Sequence, residues 1–298
     1  MYLVIDVGGT FTKYGLLDGQ GNILEKGKVE SCNKDYDGFR ALVRGIYDKF
    51  KERGIEGIAL SVPGVVDVDS GVILARSALK CMVGHNVVEE VSELCGGVPT
   101  SVENDGKAAG LAETWIGAAK DVPNCVVLGF GTAIAGCVIL DHKALRGNNM
   151  IAGEFSYMPS IFEKDNYAIF GVEWSTRGLV RKATALLGRE EEMSGEEVFD
   201  LYYAGDERIV KLFDEFFFHV ACQCYSLQSV VDPDLFCIGG GISEQPCVVP
   251  GIQAACHYIF ENAKNKQQHE PQIVACRFNN DSNLIGALYS HLVRYGKL

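Results

Sequence analysis

A strand that ends in a glycine turn occurs twice in this chain, and this repeat constrains the fold more than any other feature. Residues Tyr2 to Val7 form a predicted buried strand that stops at Gly8-Gly9-Thr10. About 122 residues later, the apolar run Cys125 to Leu128 stops at Gly129-Phe130-Gly131-Thr132. A second strand and a polar turn follow each of them. The repeat therefore predicts a duplicated α/β architecture with a cleft between its halves.

Helix and strand signals alternate along the rest of the chain. Residues 11–17 and 23–29 predict a hairpin around Asp18-Gly19-Gln20-Gly21, because Asp-Gly and Gly-Asn favour the positive φ of tight turns. Apolar residues between Phe39 and Phe50 recur at helical spacing. Further predicted strands lie at 57–62, 100–103, 235–238 and 273–276, and further predicted helices at 105–116, 207–231 and 284–293.

A small and polar segment, Gly117 to Pro123, is the predicted boundary between two domains. Residues 1–118 form the expected N-terminal α/β domain, and residues 119–282 form the expected C-terminal α/β domain. We expect the closing helix, within residues 283–298, to pack back on the first domain.

Charge and composition exclude several classes of protein. The 27 Lys and Arg stand against 39 Asp and Glu, a formal charge of −12, and an acidic surface repels nucleic-acid phosphates. No apolar run is long enough to cross a bilayer, and Met1 begins a strand-like segment rather than a basic leader. We therefore expect a cytoplasmic protein without nucleic-acid or membrane partners. In a reducing compartment its eleven cysteines are packing groups or metal ligands.

The glycine turns suggest anion binding. Gly8-Gly9-Thr10 follows an apolar strand, and glycine has no Cβ to keep a phosphate from the backbone N–H groups. Asp6 is placed to hold Mg²⁺ through water, and Lys13 to meet a phosphate. The alternative is a tight β-turn with a surface lysine. Gly239-Gly240-Gly241 could cradle a nucleotide or let a helix pack closely, and the chain has neither a Rossmann fingerprint nor a Walker loop.

Further motifs follow the first glycine turn in a fixed order. They are Pro63-Gly64-Val65-Val66-Asp67, Glu103-Asn104-Asp105, Ala152-Gly153-Glu154, Gly239-Gly240-Gly241-Ile242-Ser243 and Ile285-Gly286-Ala287. With Asp6 to Lys13, which looks like the first phosphate motif of the sugar kinase and actin-like superfamily, they resemble the ROK family of repressors, uncharacterised frames and sugar kinases. Residues 152–158 and 195–199 are most similar to its β-glucoside kinase branch. The resemblance covers essentially the whole chain and implies a two-domain α/β fold of the actin-like, ribonuclease H-like type with a central cleft.

The resemblance also implies an activity and its residues. The expected reaction is transfer of the γ-phosphoryl group of ATP, with Mg²⁺, to the 6-hydroxyl of a hexose or of the glucosyl unit of a β-glucoside, and Asp105 is the expected base. The implied substrate-binding residues are Gly64, Asn104, Asp105, Glu154, Tyr157 and Glu173. The implied ATP-binding residues are Asp6, Gly8, Gly9, Thr10, Lys13, Gly131, Thr132, Gly239, Gly240 and Gly241. The alternative for Asn104 and Asp105 is helix capping, and for Glu173 a solvated position at a helix start.

Two departures from the family pattern matter. Many members carry a zinc site with a His three residues after Gly-Glu, where this chain has Tyr157. Residues 143–218 contain neither Cys nor His, so no zinc site is expected, and the cysteines are expected to be packing residues. In the second phosphate turn, Ala133, Ala135 and Cys137 replace glycines, and any of them that needs positive φ would be strained. A catalytically weak sugar-binding or sensing protein is therefore an alternative.

Two further hypotheses are a transcriptional repressor, whose partner would be DNA, and an ATPase that binds no sugar. A repressor needs an N-terminal helix-turn-helix, and the five residues before Asp6 leave no room for one. An actin- or chaperone-like ATPase would not need the sugar-facing Glu154 and Asn104. Monosaccharide specificity of the glucokinase or N-acetylmannosamine kinase type stays open, because hydroxyl stereochemistry is read by side-chain placement. A homodimer is the family expectation.

Overall fold

The computed structural model describes residues 1–32, 34–75, 79–164, 166–264 and 266–298. They form two units. The first unit consists of Met1–Lys120, Lys143–Ala152 and Asn280–Leu298. The second unit consists of Asp121–His142 and Gly153–Asn279.

Strands and helices alternate along both units. The strands are β1 (Tyr2–Val7), β2 (Phe11–Leu17), β3 (Ile23–Glu30), β4 (Gly57–Val62), β5 (Val65–Asp67), β6 (Val72–Ala75), β7 (Thr100–Asn104), β8 (Cys125–Phe130), β9 (Ile134–Leu140), β10 (Lys143–Ala144), β11 (Pro159–Glu163), β12 (Asn166–Ile169), β13 (Leu235–Gly239) and β14 (Ile273–Ala275). The helices are α1 (Tyr36–Phe50), α2 (Val87–Leu94), α3 (Asp105–Ile116), α4 (Phe170–Glu173), α5 (Thr176–Leu186), α6 (Gly195–Tyr203), α7 (Glu207–Val231), α8 (Val248–Asn262) and α9 (Ser282–Arg294).

The sheet of the first unit has the strand order β3-β2-β1-β4-β7. Strand β1 is antiparallel to β2 and parallel to β4, and β4 is parallel to β7. The register places Asp6 beside Ser61, and Ser61 beside Glu103. Because parallel strands end at the same edge of a sheet, this edge collects polar side chains next to an otherwise apolar core.

Two helices of the first unit cross closely beside this sheet. Helix α9 packs against α3, β4 and β7. A Cβ atom at Gly286 in α9 would overlap the backbone of Ala108 in α3, so only glycine permits this approach. Helix α9 therefore runs along the sheet, with Asn283 beside Asp6 at the carboxyl edge and His291 beside Ser101 near the start of β7.

The second unit is built on a sheet that contains the order β9-β8-β13-β14. Strand β8 is antiparallel to β9 and parallel to β13, which is parallel to β14. The long helix α7 supplies a buried aromatic face to the core, made of Phe213, Phe216 and Phe217. These rings stack edge to face, an arrangement that adds to the free energy gained from apolar burial.

The predicted alternation of strands and helices is confirmed, including the opening hairpin, the long helix at 207–231 and the strand–turn–strand repeat. Several predicted ends differ by one or two residues from the observed ones, and one of them matters for the site: β8 continues through Phe130, so the second glycine turn is shorter than predicted. The reason is that Gly129 and Phe130 stay in the ladder with β9 and do not leave it at the first glycine. No helix within the described residues is long and apolar enough to cross a bilayer.

Candidate functional site

The turn Gly8-Gly9-Thr10 follows directly after β1. It is called here the first phosphate turn, after the role predicted for it from the sequence. Its conformation is held by Ser31, whose hydroxyl donates to the Gly8 carbonyl at 2.6 Å and lies 2.9 Å from the Thr12 hydroxyl. The Ser31 N–H donates to the Thr10 carbonyl at 2.9 Å. The turn is closed by the Gly8 N–H, which donates to the Phe11 carbonyl at 3.2 Å. Gly9 and Thr10 are exposed, so an anion can reach the turn from solvent.

Asp6, two residues before Gly8, is a buried carboxylate with one oxygen fixed. Oδ1 accepts hydrogen bonds from the Ser61 hydroxyl at 2.7 Å and from the Asn283 amide at 3.1 Å. Among the described residues, no hydrogen bond reaches Oδ2. Burial raises the pKa of Asp6 above its usual value, against the lowering effect of Ser61, Asn283 and Lys13. A nearby cation would offset this cost of burial.

Lys13 pairs with Asp6 across β1 and β2. Its ammonium group donates to the Asn280 carbonyl at 3.2 Å. It lines a cavity of about 280 Å³ together with Lys26 and Lys28. The Lys26 ammonium pairs with Asp281 of the same cavity at 2.7 Å, so Lys13 and Lys28 supply the excess positive charge of this corner.

Gly64, Asn104 and Asp105, which were predicted to bind sugar, are brought together in the first unit. The Asn104 amide donates to the Gly64 carbonyl at 2.9 Å and to the Asp105 carboxylate at 3.1 Å. The Asn104 carbonyl oxygen accepts the Lys107 N–H at 3.0 Å and so caps α3. Asp105 is the first residue of α3 and accepts the Gly106 N–H at 2.8 Å. Capping by Asn104 thus fixes the position of the Asp105 carboxylate.

The carboxylate of Glu103 organises the strand end before Asp105. It is fully buried and receives two hydrogen bonds of 2.7 Å from the Arg146 guanidinium. It also accepts the Asn104 N–H and the Ser290 hydroxyl, both at 2.9 Å. A bidentate pair of this kind fixes direction as well as distance.

The second phosphate turn, at residues 131–133, joins β8 to β9 in the second unit. The Gly131 N–H closes it on the Ala133 carbonyl at 2.9 Å. The Ser175 hydroxyl donates to the Thr132 carbonyl at 3.2 Å, and the Arg177 N–H donates to the Gly131 carbonyl at 3.2 Å. The carbonyl groups of the turn are therefore held by α5, while the turn itself is exposed.

The residues that replace family glycines cause no backbone strain. Non-glycine residues with positive φ in the described chain are Asp141, His142, Met150 and Asp232. Ala133, Ala135 and Cys137 are outside this group, so their side chains meet no steric conflict with the backbone conformation. The expected weakness of this turn does not follow from its geometry.

Gly131, Thr132 and Gly241 line one cavity of about 550 Å³ in the second unit, called here the larger cavity. Gly240 has φ +85°, and a Cβ atom there would overlap the Phe130 carbonyl, so the triple-glycine turn packs directly on the end of β8. A smaller cavity of about 380 Å³ shares Thr132 with the larger one.

The other predicted sugar residues lie on two segments that pack together in the second unit. Glu154 is partly buried and precedes a 3₁₀ turn over Phe155–Tyr157, where Tyr157 is 49% exposed. Glu173 ends α4. The Ser156 side chain in the turn contacts the backbone of Gly171 in α4 so closely that a Cβ atom there would not fit.

Glu173 is an ion-paired carboxylate. Its oxygens lie 2.5 Å from the Lys182 ammonium and 3.4 Å from the Arg181 guanidinium, and its side chain is 19% exposed. The alternative of a solvated glutamate at a helix start is wrong, because the residue ends its helix and is partly buried. The carboxylate is therefore directed by two basic side chains of α5.

The segment after Tyr157, where many family members carry zinc ligands, is the hairpin β11–β12. The Gln223 amide of α7 donates to the Pro159 carbonyl at 3.0 Å and anchors this hairpin. Across the described chain, no three His, Cys, Asp or Glu residues are grouped as a metal site requires. Cys125, Cys137, Cys224 and Cys237 are buried, as expected of packing residues, and Cys222 is half-buried.

Sequence reasoning missed the residues that hold these groups in place. Ser61 had a usable signal, since it is polar within the apolar strand β4 and lies opposite Asp6. Arg146, Asn283 and Ser31 had none, because each acts on a residue far away in sequence.

This chain is similar to known proteins along nearly its whole length. The model of the ROK family matches residues 2–293. A β-glucoside kinase of Klebsiella pneumoniae is 32% identical over 290 residues, covering 95% of this chain and 93% of that protein. A β-glucoside kinase of Listeria monocytogenes serovar 1/2a is 31% identical over 293 residues, covering 96% of each.

Among solved structures, a ROK family protein from Streptococcus pneumoniae TIGR4, in complex with sucrose, superposes with a TM-score of 0.91. It is 27% identical, and the match covers 100% of this chain and 99% of that one. On its sequence and on its fold, this chain belongs to the ROK family.

Proposed function

We propose that this chain is an ATP-dependent sugar kinase that phosphorylates the 6-hydroxyl of a hexose or of the glucosyl unit of a β-glucoside. Its similarity to two β-glucoside kinases over nearly the whole of each chain supports the carbohydrate kinase class and favours the glucoside as acceptor. In this reaction the hydroxyl oxygen forms a bond to the γ-phosphorus, the bond from that phosphorus to ADP breaks, and the hydroxyl proton passes to a base.

The observation that carries the proposal is the geometry of Asp105. Its carboxylate lies at the N-terminus of α3, where Gly106 and Asn104 donate hydrogen bonds to the same oxygen, Oδ1. The first turn of a helix favours negative charge, which suits a carboxylate that takes a proton from the substrate. Asp105 is the proposed base.

The other proposed sugar residues supply hydrogen bonds to the remaining hydroxyl groups. Both amide protons of Asn104 are used inside the protein, and its oxygen accepts the Lys107 N–H. Asn104 therefore positions Asp105 and Gly64, and only the second lone pair of its oxygen is left for the sugar. Glu154, Tyr157 and Glu173 are the proposed sugar contacts of the second unit. The Glu173 carboxylate, which is ion-paired with Lys182, is suited to accept hydrogen bonds from two neighbouring hydroxyls.

The proposed ATP contacts are the two phosphate turns, with Gly8, Gly9, Thr10 and Lys13 in the first unit and Gly131, Thr132 and the glycines at 239–241 in the second. Gly131, Thr132 and Gly241 share the larger cavity, which is of a volume that suits a small-molecule ligand.

Asp6 fits the proposed magnesium ion, which would be held through water. Its buried carboxylate has one oxygen fixed by two donors and a second without a protein hydrogen bond in the described chain, and carboxylate oxygens suit Mg²⁺. Mg²⁺, when bound, neutralises charge on the transferred phosphoryl group. Ser61 and Asn283 orient the carboxylate for this role. A cytoplasmic homodimer completes the proposal, as the expectation for the family.

The test is a coupled ADP-release assay over glucose, N-acetylmannosamine, cellobiose and other β-glucosides, with the wild type and Asp105→Asn. We expect turnover with at least one β-glucoside and a loss of kcat of about a hundredfold or more in the variant. Asp37→Asn is the matched control, because the Asp37 side chain is 94% exposed, and it should keep full activity.

Two results would contradict parts of the proposal separately. Wild-type turnover that survives Asp105→Asn would remove Asp105 as the base. Sugar binding by calorimetry without ATP turnover would favour the alternative of a catalytically weak sugar sensor.

A further inference from the structure

Arg177 lies where the larger and smaller cavities of the second unit meet. The two cavities share Thr132, Arg177 and Glu192 as lining residues. Thr132 belongs to the second phosphate turn, so Arg177 shares a wall with the residue proposed to contact ATP phosphates. Nothing in the sequence motifs pointed to it.

The backbone of Arg177 is fixed to the phosphate turn. Its N–H donates to the Gly131 carbonyl at 3.2 Å. The preceding cap residue, Ser175, accepts the Gly178 N–H at 3.1 Å and donates its hydroxyl to the Thr132 carbonyl at 3.2 Å. The first turn of α5 is therefore bonded to two successive carbonyls of the turn, and the Cα of Arg177 cannot move independently of Thr132.

The guanidinium group, by contrast, is unused. Among the described residues it takes part in no hydrogen bond or ion pair, and the side chain is exposed. Arg181, one helical turn later, donates to the Val172 carbonyl at 3.1 Å and pairs with Glu173 at 3.4 Å. Arg177 thus offers its free donors to the cavities, whereas Arg181 is bound within the protein.

The larger cavity is lined by acidic side chains, so an anion bound there would need a cation such as Arg177 beside it. Glu192, Glu196 and Glu244 line it, and Arg177 is the one basic side chain among its described lining residues. Three carboxylates would repel a triphosphate, and Glu196 and Glu244 line only the larger cavity. The border with the smaller cavity carries one carboxylate, Glu192, against the cation of Arg177, so the phosphates are best accommodated there, beside Thr132.

We propose that Arg177 is an ATP-binding residue whose guanidinium group binds the β- and γ-phosphates beside Thr132. The planar guanidinium presents paired donors that match phosphate oxygens. This inference rests on the proposed function, since it assigns the ligand of the larger cavity as a nucleoside triphosphate.

The test is calorimetric titration of the whole protein with ATP, ADP, AMP and adenosine, which needs no turnover. For Arg177→Gln we expect ATP and ADP affinity to fall about tenfold or more, because a hydrogen bond to a charged group is lost, while adenosine affinity stays as in the wild type. Arg177→Lys should give an intermediate loss. Arg208→Gln is the control, since that arginine is 57% exposed and pairs with its own helix cap.

An equal loss for adenosine and ATP would overturn the inference, because it would mean that Arg177 acts by packing. An unchanged ATP affinity in Arg177→Gln would overturn it too. A wild type that binds ATP with this Arg177 dependence but phosphorylates no sugar would support the inference and contradict the kinase proposal, so the two failures are distinguishable.

Discussion

The guanidinium of Arg146 donates two parallel hydrogen bonds of 2.7 Å to the two carboxylate oxygens of Glu103. The same carboxylate accepts the N–H of Asn104, the residue before the proposed base. Ser290 in α9 adds a further donor. One buried charge thus connects β7, α9 and the segment Lys143–Ala152 immediately beside Asp105.

Arg146→Ala should destabilise the protein strongly. Glu103 is fully buried, and removal of its partner leaves an unpaired buried charge, which costs about 3–5 kcal/mol. Urea unfolding followed by circular dichroism measures the change. Arg44→Ala provides a surface comparison, because its pair with Asp48, 2.9 Å apart, is partly exposed and should contribute less to stability than a buried pair. Similar losses for the two variants would contradict the prediction.

The Arg146–Glu103 pair also shows why strands and helices can be predicted from the sequence more readily than the contacts between them. Strands such as β1 and helices such as α7 follow from local apolar spacing, and Asn104 was recognised as a possible cap from its position before a helix. The partner of Glu103 lies 43 residues away in sequence. No periodicity encodes such a contact, since it depends on how the chain returns to the first unit.

The candidate site shows the same difference between local features, which could be predicted, and long-range contacts, which could not. The motifs identified the exposed turns and Asp105, because glycine and acidic residues at strand ends have a direct chemical meaning. Ser31, Asn283 and Arg177 went unnoticed, because hydroxyl, amide and guanidinium groups are common on surfaces and acquire their role only from three-dimensional neighbours.

Ser156→Ala should weaken both stability and ATP use. The Ser156 hydroxyl accepts the Ile134 N–H at 2.8 Å and donates to the Ile134 carbonyl at 2.9 Å, directly after the second phosphate turn. Loss of both bonds should cost about 1–3 kcal/mol and lower kcat/KM for ATP about tenfold. Urea unfolding and steady-state kinetics measure the two effects.

Ser160→Ala is the control for that measurement. The Ser160 hydroxyl makes one long bond of 3.4 Å to the Ala168 carbonyl within the hairpin β11–β12. Its loss should change stability by less than about 0.5 kcal/mol. An effect of Ser156→Ala no larger than this would mean that Ser156 does not support the turn.

His291 should make the protein less stable in mild acid. Burial, followed by Lys297 and Arg294, lowers the pKa of His291 to about 4, and the side chain is 1% exposed. In the unfolded chain its pKa is about 6.5. As the pH falls through this window the unfolded state binds the proton and the folded state does not, so the group removes about 3 kcal/mol of stability between about pH 6.5 and pH 4.

The measurement is urea unfolding at several pH values from 7.5 to 4.5, and the quantity compared is the slope of stability against pH. His291→Gln should flatten this slope. His257→Gln should leave it unchanged, because the His257 side chain is 65% exposed. A slope that His291→Gln does not alter would assign the acid sensitivity to other groups.

Substitution by alanine should have different effects at Gly240 and at Gly241: a loss of stability at Gly240 and a higher KM for ATP at Gly241. Gly240 has φ +85° and no room for a Cβ atom beside the Phe130 carbonyl, whereas a Cβ atom at Gly241 would meet no protein atom within 4 Å. Gly240→Ala should therefore cost more than about 1 kcal/mol of stability. Gly241→Ala should stay within about 0.5 kcal/mol of the wild type but raise the KM for ATP, because its methyl group enters the larger cavity. Urea unfolding and ADP-release kinetics separate the two effects. A Gly241→Ala variant that is destabilised but keeps normal ATP kinetics would show that ATP does not bind in the larger cavity.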